Sequence, residues 1–348
     1  MLFDPDPTAA LALLAACPAH TVTPLVPLPG LAARAGIASL VAKDETARMG
    51  LGSFKALGGA FAVAELVRAR CRAAWRREPA PEELAGIDAR ELAAELTVVC
   101  ASAGNHGLAV AAGARVFGAR TRVHLARSVP EAFAERLRAA GATVVRSGAV
   151  YEDAMEAAAR EVDATGGDAG GYRLVSDASW EGYVEVPITI MRGYCAMAHE
   201  MADAFATDGG WPSHVVLQAG VGGMAAAVTA HVRAHWAGRP EILVVEPDAA
   251  PCLARSVAAG RPVRAEGPVS TMGRLDCKMP SLIALEVLRE AADRFVTIDD
   301  RAAETAAALL AEAGLATTPS GAAGVAAVLV ADLPAHARAL VIVSEGAE

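Results

Sequence analysis

The chain has 348 residues, long enough for about two domains around a sizeable core. Hydrophobic residues make up 54% and charged residues 20%, which excludes a disordered chain. A net charge of -9 and only 4% aromatics disfavour nucleic acid, which needs a basic face.

The first residues, MLFDPDPT, are acidic where a signal peptide needs a basic start, so a cytoplasmic protein is expected. Residues 7–33 carry no Asp, Glu, Lys or Arg, but Pro7, Pro18, Pro24, Pro27 and Pro29 interrupt them. Residues 209–232 are equally uncharged, with a glycine turn, QAGVGG, in the middle. Neither run is expected to span a membrane.

Gly50-Leu51-Gly52 then leads into Ser53-Phe54-Lys55 and Ala56-Leu57-Gly58-Gly59. Lysine occurs at positions 43, 55 and 278 alone, among many arginines, so one in a small, apolar setting stands out. Burial disfavours the charged form of a lysine, and a neutral amine attacks an aldehyde to form a Schiff base. The alternative is a surface lysine opening a helix. The polar stretch 68–95 is read as a connection wrapping the surface.

Short β-branched runs read as buried parallel strands: 97–100 (TVVC), 121–125 (TRVHL), 143–146 (TVVR), 214–217 (HVVL), 242–245 (ILVV) and 340–343 (LVIV). Alanine-rich helical stretches at 131–140, 153–161 and 302–313 alternate with them, and glycine-rich 163–172 reads as a loop. This order predicts an α/β fold with parallel sheets. No linker is long enough to separate independent domains.

Two loops follow strands and open helices. Ser102-Ala103-Gly104-Asn105-His106-Gly107 comes after TVVC, where backbone N–H groups suit a carboxylate. Ser102 or Asn105 as a simple helix cap is the other reading. Gly220-Val221-Gly222-Gly223-Met224 comes after HVVL, where glycines let the backbone approach a phosphate. A dinucleotide loop competes there, because Glu246 ends the following strand, although the third glycine is misplaced. Ser344 follows the last strand and offers a hydroxyl to a ring nitrogen, or simply ends the strand. The six cysteines form no CxxC pair and read as reduced thiols. Histidines show no ligand spacing, so no metal is implied, and a GxSxG hydrolase elbow is absent.

Taken together, these motifs resemble the type II fold of pyridoxal-phosphate enzymes, the family of threonine dehydratase and the tryptophan synthase β chain. The closer resemblance, from about Pro24 to Gly346, is to the diaminopropionate ammonia-lyases. It rests on Lys43-Asp44-Glu45 leading to GSFKALGGA, Val175 to Tyr183 (VSDASWEGY), QAGVGGMAAAV, Val245-Glu246-Pro247, and Ser270 to Pro280 (STMGRLDCKMP).

The resemblance implies a two-domain α/β fold. Residues 1–60 with 186–348 would form the large cofactor-binding domain and 61–185 a small substrate-side domain. It implies a homodimer holding pyridoxal 5′-phosphate, with a small amino acid as substrate and neither nucleic acid nor membrane as partner. Lys55 would be the Schiff-base lysine and proton carrier, with Asp177 near the substrate amines. Asn105 would contact the cofactor's ring hydroxyl, Gly220 to Met224 its phosphate and Ser344 its ring nitrogen. Ser102, Ala103, Gly104 and His106 would line the carboxylate site.

The implied reaction is α,β-elimination from 2,3-diaminopropionate to pyruvate and ammonia. The L-isomer is expected to be preferred, because Ala103 stands where these lyases carry an aspartate. Pro319, Asp276 and Lys278 also depart from the family pattern. Cys252 and Cys277 fall where the family has a paired cysteine; free thiols are expected in a cytosolic enzyme. The alternatives are a serine, threonine or hydroxyaspartate dehydratase, a β-replacement synthase, and a non-catalytic sensor of cofactor or amino acid.

Overall fold

The computed structural model describes residues 3–102 and 104–347. Its strands are β1 (Leu25–Pro27), β2 (Ser39–Asp44), β3 (Thr97–Ala101), β4 (Arg120–Leu125), β5 (Thr143–Arg146), β6 (Tyr172–Leu174), β7 (His214–Gln218), β8 (Glu241–Pro247), β9 (Arg294–Ile298) and β10 (Arg338–Val343). They form two sheets, ordered β1-β2-β10-β7-β8-β9 and β5-β4-β3-β6. Among the described residues only the β1–β2 strand pair is antiparallel. The α/β architecture with parallel sheets read from the sequence is therefore the one the chain adopts.

Strand residues alternate between the faces of a sheet, and both faces are buried. Val215, Leu217, Ile242 and Val244 enter one apolar cluster; Val216, Leu243, Val245 and Val341 enter the other. In the smaller sheet Val98 and Cys100 join the first cluster, while Val99 and Ala101 pack with Ala154 and Ala158. The first cluster runs under both sheets through the Lys55–Trp75 and Glu185–Asp208 helices. These helices meet at Gly58 and Gly193. A Cβ on Gly58 would overlap the Tyr194 ring, and one on Gly193 would overlap the Leu57 carbonyl.

Two expectations change. Residues 68–95 do not merely wrap the surface: they end the Lys55–Trp75 helix and form the Ile87–Ala93 helix, burying Cys71, Leu84, Ala89 and Ala93. Small alanine and cysteine side chains make a packing face there that polarity conceals. The 163–172 segment contains a short 3-10 turn at Gly167–Gly170 and ends in β6. Among the described residues no helix is long and apolar enough to cross a membrane.

Candidate active site

Lys55 is the first residue of its helix, after a tight turn in which Met49, Gly50 and Gly52 have φ of 52°, 68° and 79°. Left-handed backbone favours glycine and is strained at Met49. The turn is held to the C-terminal strand end, where the Phe54 N–H donates to Ser344 O at 3.2 Å. It is also anchored from below by a buried ion network. Arg48 donates to Glu45 at 2.7 and 2.8 Å and to Glu200 at 2.7 and 2.8 Å. Lys43 Nζ donates to Glu200 at 2.6 Å. Unpaired charges would be costly there, so each is matched.

Lys55 Nζ donates to Asp177 Oδ2 at 2.5 Å, with the two side chains 22% and 17% exposed. The ammonium lies 5.1 Å from the Phe54 ring centre and 5.7 Å from that of Tyr194. Burial pushes the lysine pKa down, but the Asp177 carboxylate outweighs it and holds Lys55 above its ordinary value. Burial likewise pushes Asp177 up, and Lys55 and His106 more than reverse it, holding the carboxyl well below the usual range. The contact with the Asp177 carboxylate favours the charged form of Lys55, against the effect of burial.

Asp177 is held firmly. Its segment follows β6, and Trp180 stacks on Tyr183 with ring centres 4.4 Å apart. The Tyr183 hydroxyl donates to Leu174 O at 2.8 Å, and Ser179 shares a 2.7 Å hydrogen bond with Ser281.

In the loop after β3, Ser102 Oγ accepts from the N–H groups of Gly104 at 3.2 Å and Gly107 at 3.1 Å. It caps the Asn105–Phe117 helix, the plainer of its two readings. His106 Nε2 meets the Val175 carbonyl at 2.8 Å and so carries the hydrogen. Burial lowers the pKa of His106, and its Nδ1 is buried without a partner among the described residues. Asn105 Nδ2 donates to Glu345 Oε2 at 2.5 Å. Ala103 lies outside the described residues.

The glycine loop follows β7 and opens the Gly223–His235 helix. Gly222 has φ 99°, and its Cβ would press on Leu253 and Ala284 at 3.1 Å, so packing as well as backbone demands glycine. A Cβ on Gly220 would come 2.9 Å from Cys277 Sγ. A Cβ on Gly223 would meet nothing closer than Asp177 O at 3.8 Å and Tyr194 at 3.9 Å. A Cβ on Gly223 would thus make only ordinary contacts, and two of its neighbours, Asp177 and Tyr194, also flank Lys55. Val221 O accepts from the Ser281 N–H at 2.9 Å, and Met224 is buried. A lysine beside a glycine-lined helix N-terminus suits a phosphorylated aldehyde. Ser344, a buried residue 5% exposed, adds a hydroxyl at the end of the last strand.

Glu246 does not serve a dinucleotide. It accepts from the N–H groups of Leu253 at 2.7 Å and Ala254 at 2.8 Å, capping the Cys252–Ala259 helix. Burial pushes its carboxyl up to about 7. Cys252 and Cys277 are free thiols that both approach Gly220, and burial pushes Cys277 up to about 12. Lys278 donates to Asp276 at 2.6 Å and to the carbonyls of Ala249 and Pro268 at 2.9 and 2.8 Å, so this pair clips a loop together.

Sequence reading missed Glu345 and Arg274. Glu345 accepts from Asn105 and from Thr318, while Arg274 Nε lies 3.7 Å from Glu345 Oε2. The partners are up to 240 positions apart, and no local pattern announces them.

Known proteins bear on this geometry. Residues 16–345 match the family described as pyridoxal-phosphate dependent enzyme. Diaminopropionate ammonia-lyase of Salmonella typhimurium is 33% identical over 291 residues, covering 81% of this chain and 70% of that protein. Its Escherichia coli counterpart is 32% identical over 284 residues, covering 81% and 69%. The crystal structure of the Escherichia coli lyase in complex with D-serine superimposes with a TM-score of 0.87 at 27% identity, covering 99% of this chain and 89% of that one. A lysine that opens a helix beside a glycine-lined loop, on a fold shared over nearly the whole length, has one family to fit: the chain belongs to the pyridoxal-phosphate dependent enzymes.

Proposed function

We propose that this chain eliminates the β-amino group of 2,3-diaminopropionate, the L-isomer in preference, to give pyruvate and ammonia with pyridoxal 5′-phosphate as cofactor. The observation that carries this reading is the 2.5 Å contact between Lys55 and Asp177. A diamino acid brings a second ammonium group into a half-buried site, which costs too much without a carboxylate to meet it. Asp177 supplies that carboxylate beside the lysine. The preference for the L-isomer rests on Ala103, apolar where the ammonia-lyases carry an aspartate.

Lys55 would hold the cofactor, the Gly220-to-Met224 backbone its phosphate, Asn105 its ring hydroxyl and Ser344 its ring nitrogen. When bound, the cofactor supplies an electron sink for charge at the substrate's α-carbon. The protein's part is proton handling and placement. The freed Lys55 amine, or Asp177, would take the α-proton, and a nearby acid would supply one to the departing nitrogen. Ser102, Gly104 and His106 would shape the carboxylate end.

The same proposal takes 1–60 with 186–348 as the cofactor-binding domain and 61–185 as the substrate-side domain. The confinement of β3 to β6 to residues 97–174 supports that division. A cytoplasmic homodimer completes it, to be checked by fractionation and sedimentation. Release of keto acid and ammonia from a panel of amino acids tests the reaction. A dehydratase acting on hydroxy amino acids is the second reading, favoured by Ala103. Turnover of serine or threonine with none of either diaminopropionate isomer would select it.

A further inference from the structure

Tyr194 lies against Lys55 with a hydroxyl that the roles above leave unused. The residue sits in the Glu185–Asp208 helix and is 1% exposed. Its ring is fixed on several sides. The Phe54 ring meets it edge-on with centres 4.9 Å apart, and a Cβ on Gly58 would lie 2.8 Å from its Cζ. On the other edge, Cε2 is 3.9 Å from where a Cβ on Gly223 would be. Lys55 Nζ lies 5.7 Å from the ring centre. Yet the Tyr194 hydroxyl is buried without a hydrogen bond among the described residues. A buried hydroxyl left alone is costly. One held this rigidly beside a reactive lysine points to a partner in another state of that lysine.

The chemistry of the groups around Nζ says which state. An ammonium only donates, and an ionised carboxylate only accepts. Asp177 therefore serves the charged lysine, which it meets at 2.5 Å. A neutral amine has a lone pair that calls for a donor, and the Asp177 carboxylate has none to give. The Tyr194 hydroxyl both donates and accepts. Burial pushes its pKa up by more than Lys55 lowers it, so the hydroxyl keeps its proton.

We propose that Tyr194 is a positioning residue whose hydroxyl donates to the lone pair of Lys55 whenever that nitrogen is a neutral amine, while Asp177 keeps one of its N–H groups. The inference rests on Lys55 as the cofactor lysine of the proposed reaction, but not on diaminopropionate as the substrate. Two hydrogen bonds aim the amine, where the carboxylate alone would leave it free to turn about one contact. The same hydroxyl accepts from the ammonium, so Lys55 keeps both partners as it gains and loses its proton.

The test is Tyr194→Phe in the holoenzyme, which keeps the ring on Phe54 and Gly58 and removes one oxygen. L-alanine has no β-leaving group, so exchange of its α-hydrogen in deuterium oxide, followed by proton NMR, reads proton transfer alone. Exchange should slow about tenfold, the worth of one hydrogen bond to the lysine. Affinities for alanine and for the cofactor, titrated by the visible absorbance of the bound cofactor, should each change less than about twofold. The melting temperature should hold or rise, because the hydroxyl lost had no partner in the folded protein.

A second measurement needs no turnover. Protein stripped of cofactor should recapture added pyridoxal 5′-phosphate about tenfold more slowly in the variant, since attack on the aldehyde uses the same neutral amine. Unchanged exchange, or unchanged recapture, would overturn the proposal. So would lost cofactor affinity with exchange intact, which would give the hydroxyl to the phosphate beside Gly223. Slower exchange together with a lower melting temperature would make it a packing group instead. If the wild type exchanges no alanine hydrogen, the recapture rate decides. Failure to release pyruvate from diaminopropionate would remove that substrate and leave both comparisons standing.

Discussion

Lys55 and Asp177 are 122 residues apart in the chain, yet Nζ and Oδ2 sit 2.5 Å from each other, each holding the other ionised. The sign of the pH dependence follows. Asp177, held below its ordinary value, contributes stability above the usual carboxylate range and loses it as pH falls. Lys55, held above its ordinary value, contributes below the usual lysine range and loses it as pH rises. Between those ranges the pair is constant.

Lys55→Ala should reduce turnover to background while circular dichroism and melting still report a folded protein. Borohydride should fix the cofactor to the peptide containing Lys55 in the wild type and to no peptide of the variant. Substantial activity of the variant on any amino acid would remove Lys55 from the chemistry.

Asp177→Asn should separate substrates. A second ammonium loses its counter-charge, so kcat/KM for diaminopropionate should drop by about tenfold to hundredfold relative to serine, the worth of a charged hydrogen bond at about 1.5–3 kcal/mol. Equal losses on both substrates would make Asp177 a general positioning group. In the wild type, equal rates on the D- and L-isomers would refute the part assigned to Ala103.

The adjacent glycines should fail differently. Gly222→Ala meets a φ of 99° and the Leu253 and Ala284 side chains, so it should cost about 1–3 kcal/mol of stability. Gly223→Leu leaves an unstrained backbone, with a Cβ in ordinary contact with Asp177, Met191 and Tyr194, and adds bulk beside the residues that flank Lys55. It should weaken cofactor binding with little change in melting temperature. Cofactor affinity unchanged in Gly223→Leu would remove the loop from the cofactor's surroundings.

Glu246 makes stability fall toward neutral pH. Its carboxyl is raised from 4.5 to about 7 by burial, so its contribution is full below 4.5 and lost as pH rises through about 7. Relative to Glu246→Gln, the wild type should lose about 1–3 kcal/mol between about pH 5 and pH 8. Denaturation curves that stay parallel for the two proteins across that range would show that the buried carboxyl does not titrate there.

What could be read from the chain depended on burial on two faces. TVVC, HVVL, ILVV and LVIV are continuous apolar runs because both sides of their strands are buried, and each is a strand. β1, β2, β6 and β9 carry proline, Lys43 and Asp44, or exposed edge residues, and show no such run. The two loop-to-helix junctions were legible from glycine placement. The charge state of Lys55 was not, since it depends on a carboxylate from a distant segment. Nor was the Arg274, Glu345 and Asn105 contact, which brings together three remote loops.

The meeting of Gly58 with Tyr194, and of Gly193 with Leu57, has a mechanical consequence. With no side chain to act as a spacer, the two helices that connect the sheets touch backbone to backbone one turn beyond Lys55. Neither can slide along the other without a clash, so the crossing fixes the axial register of the helix that Lys55 opens.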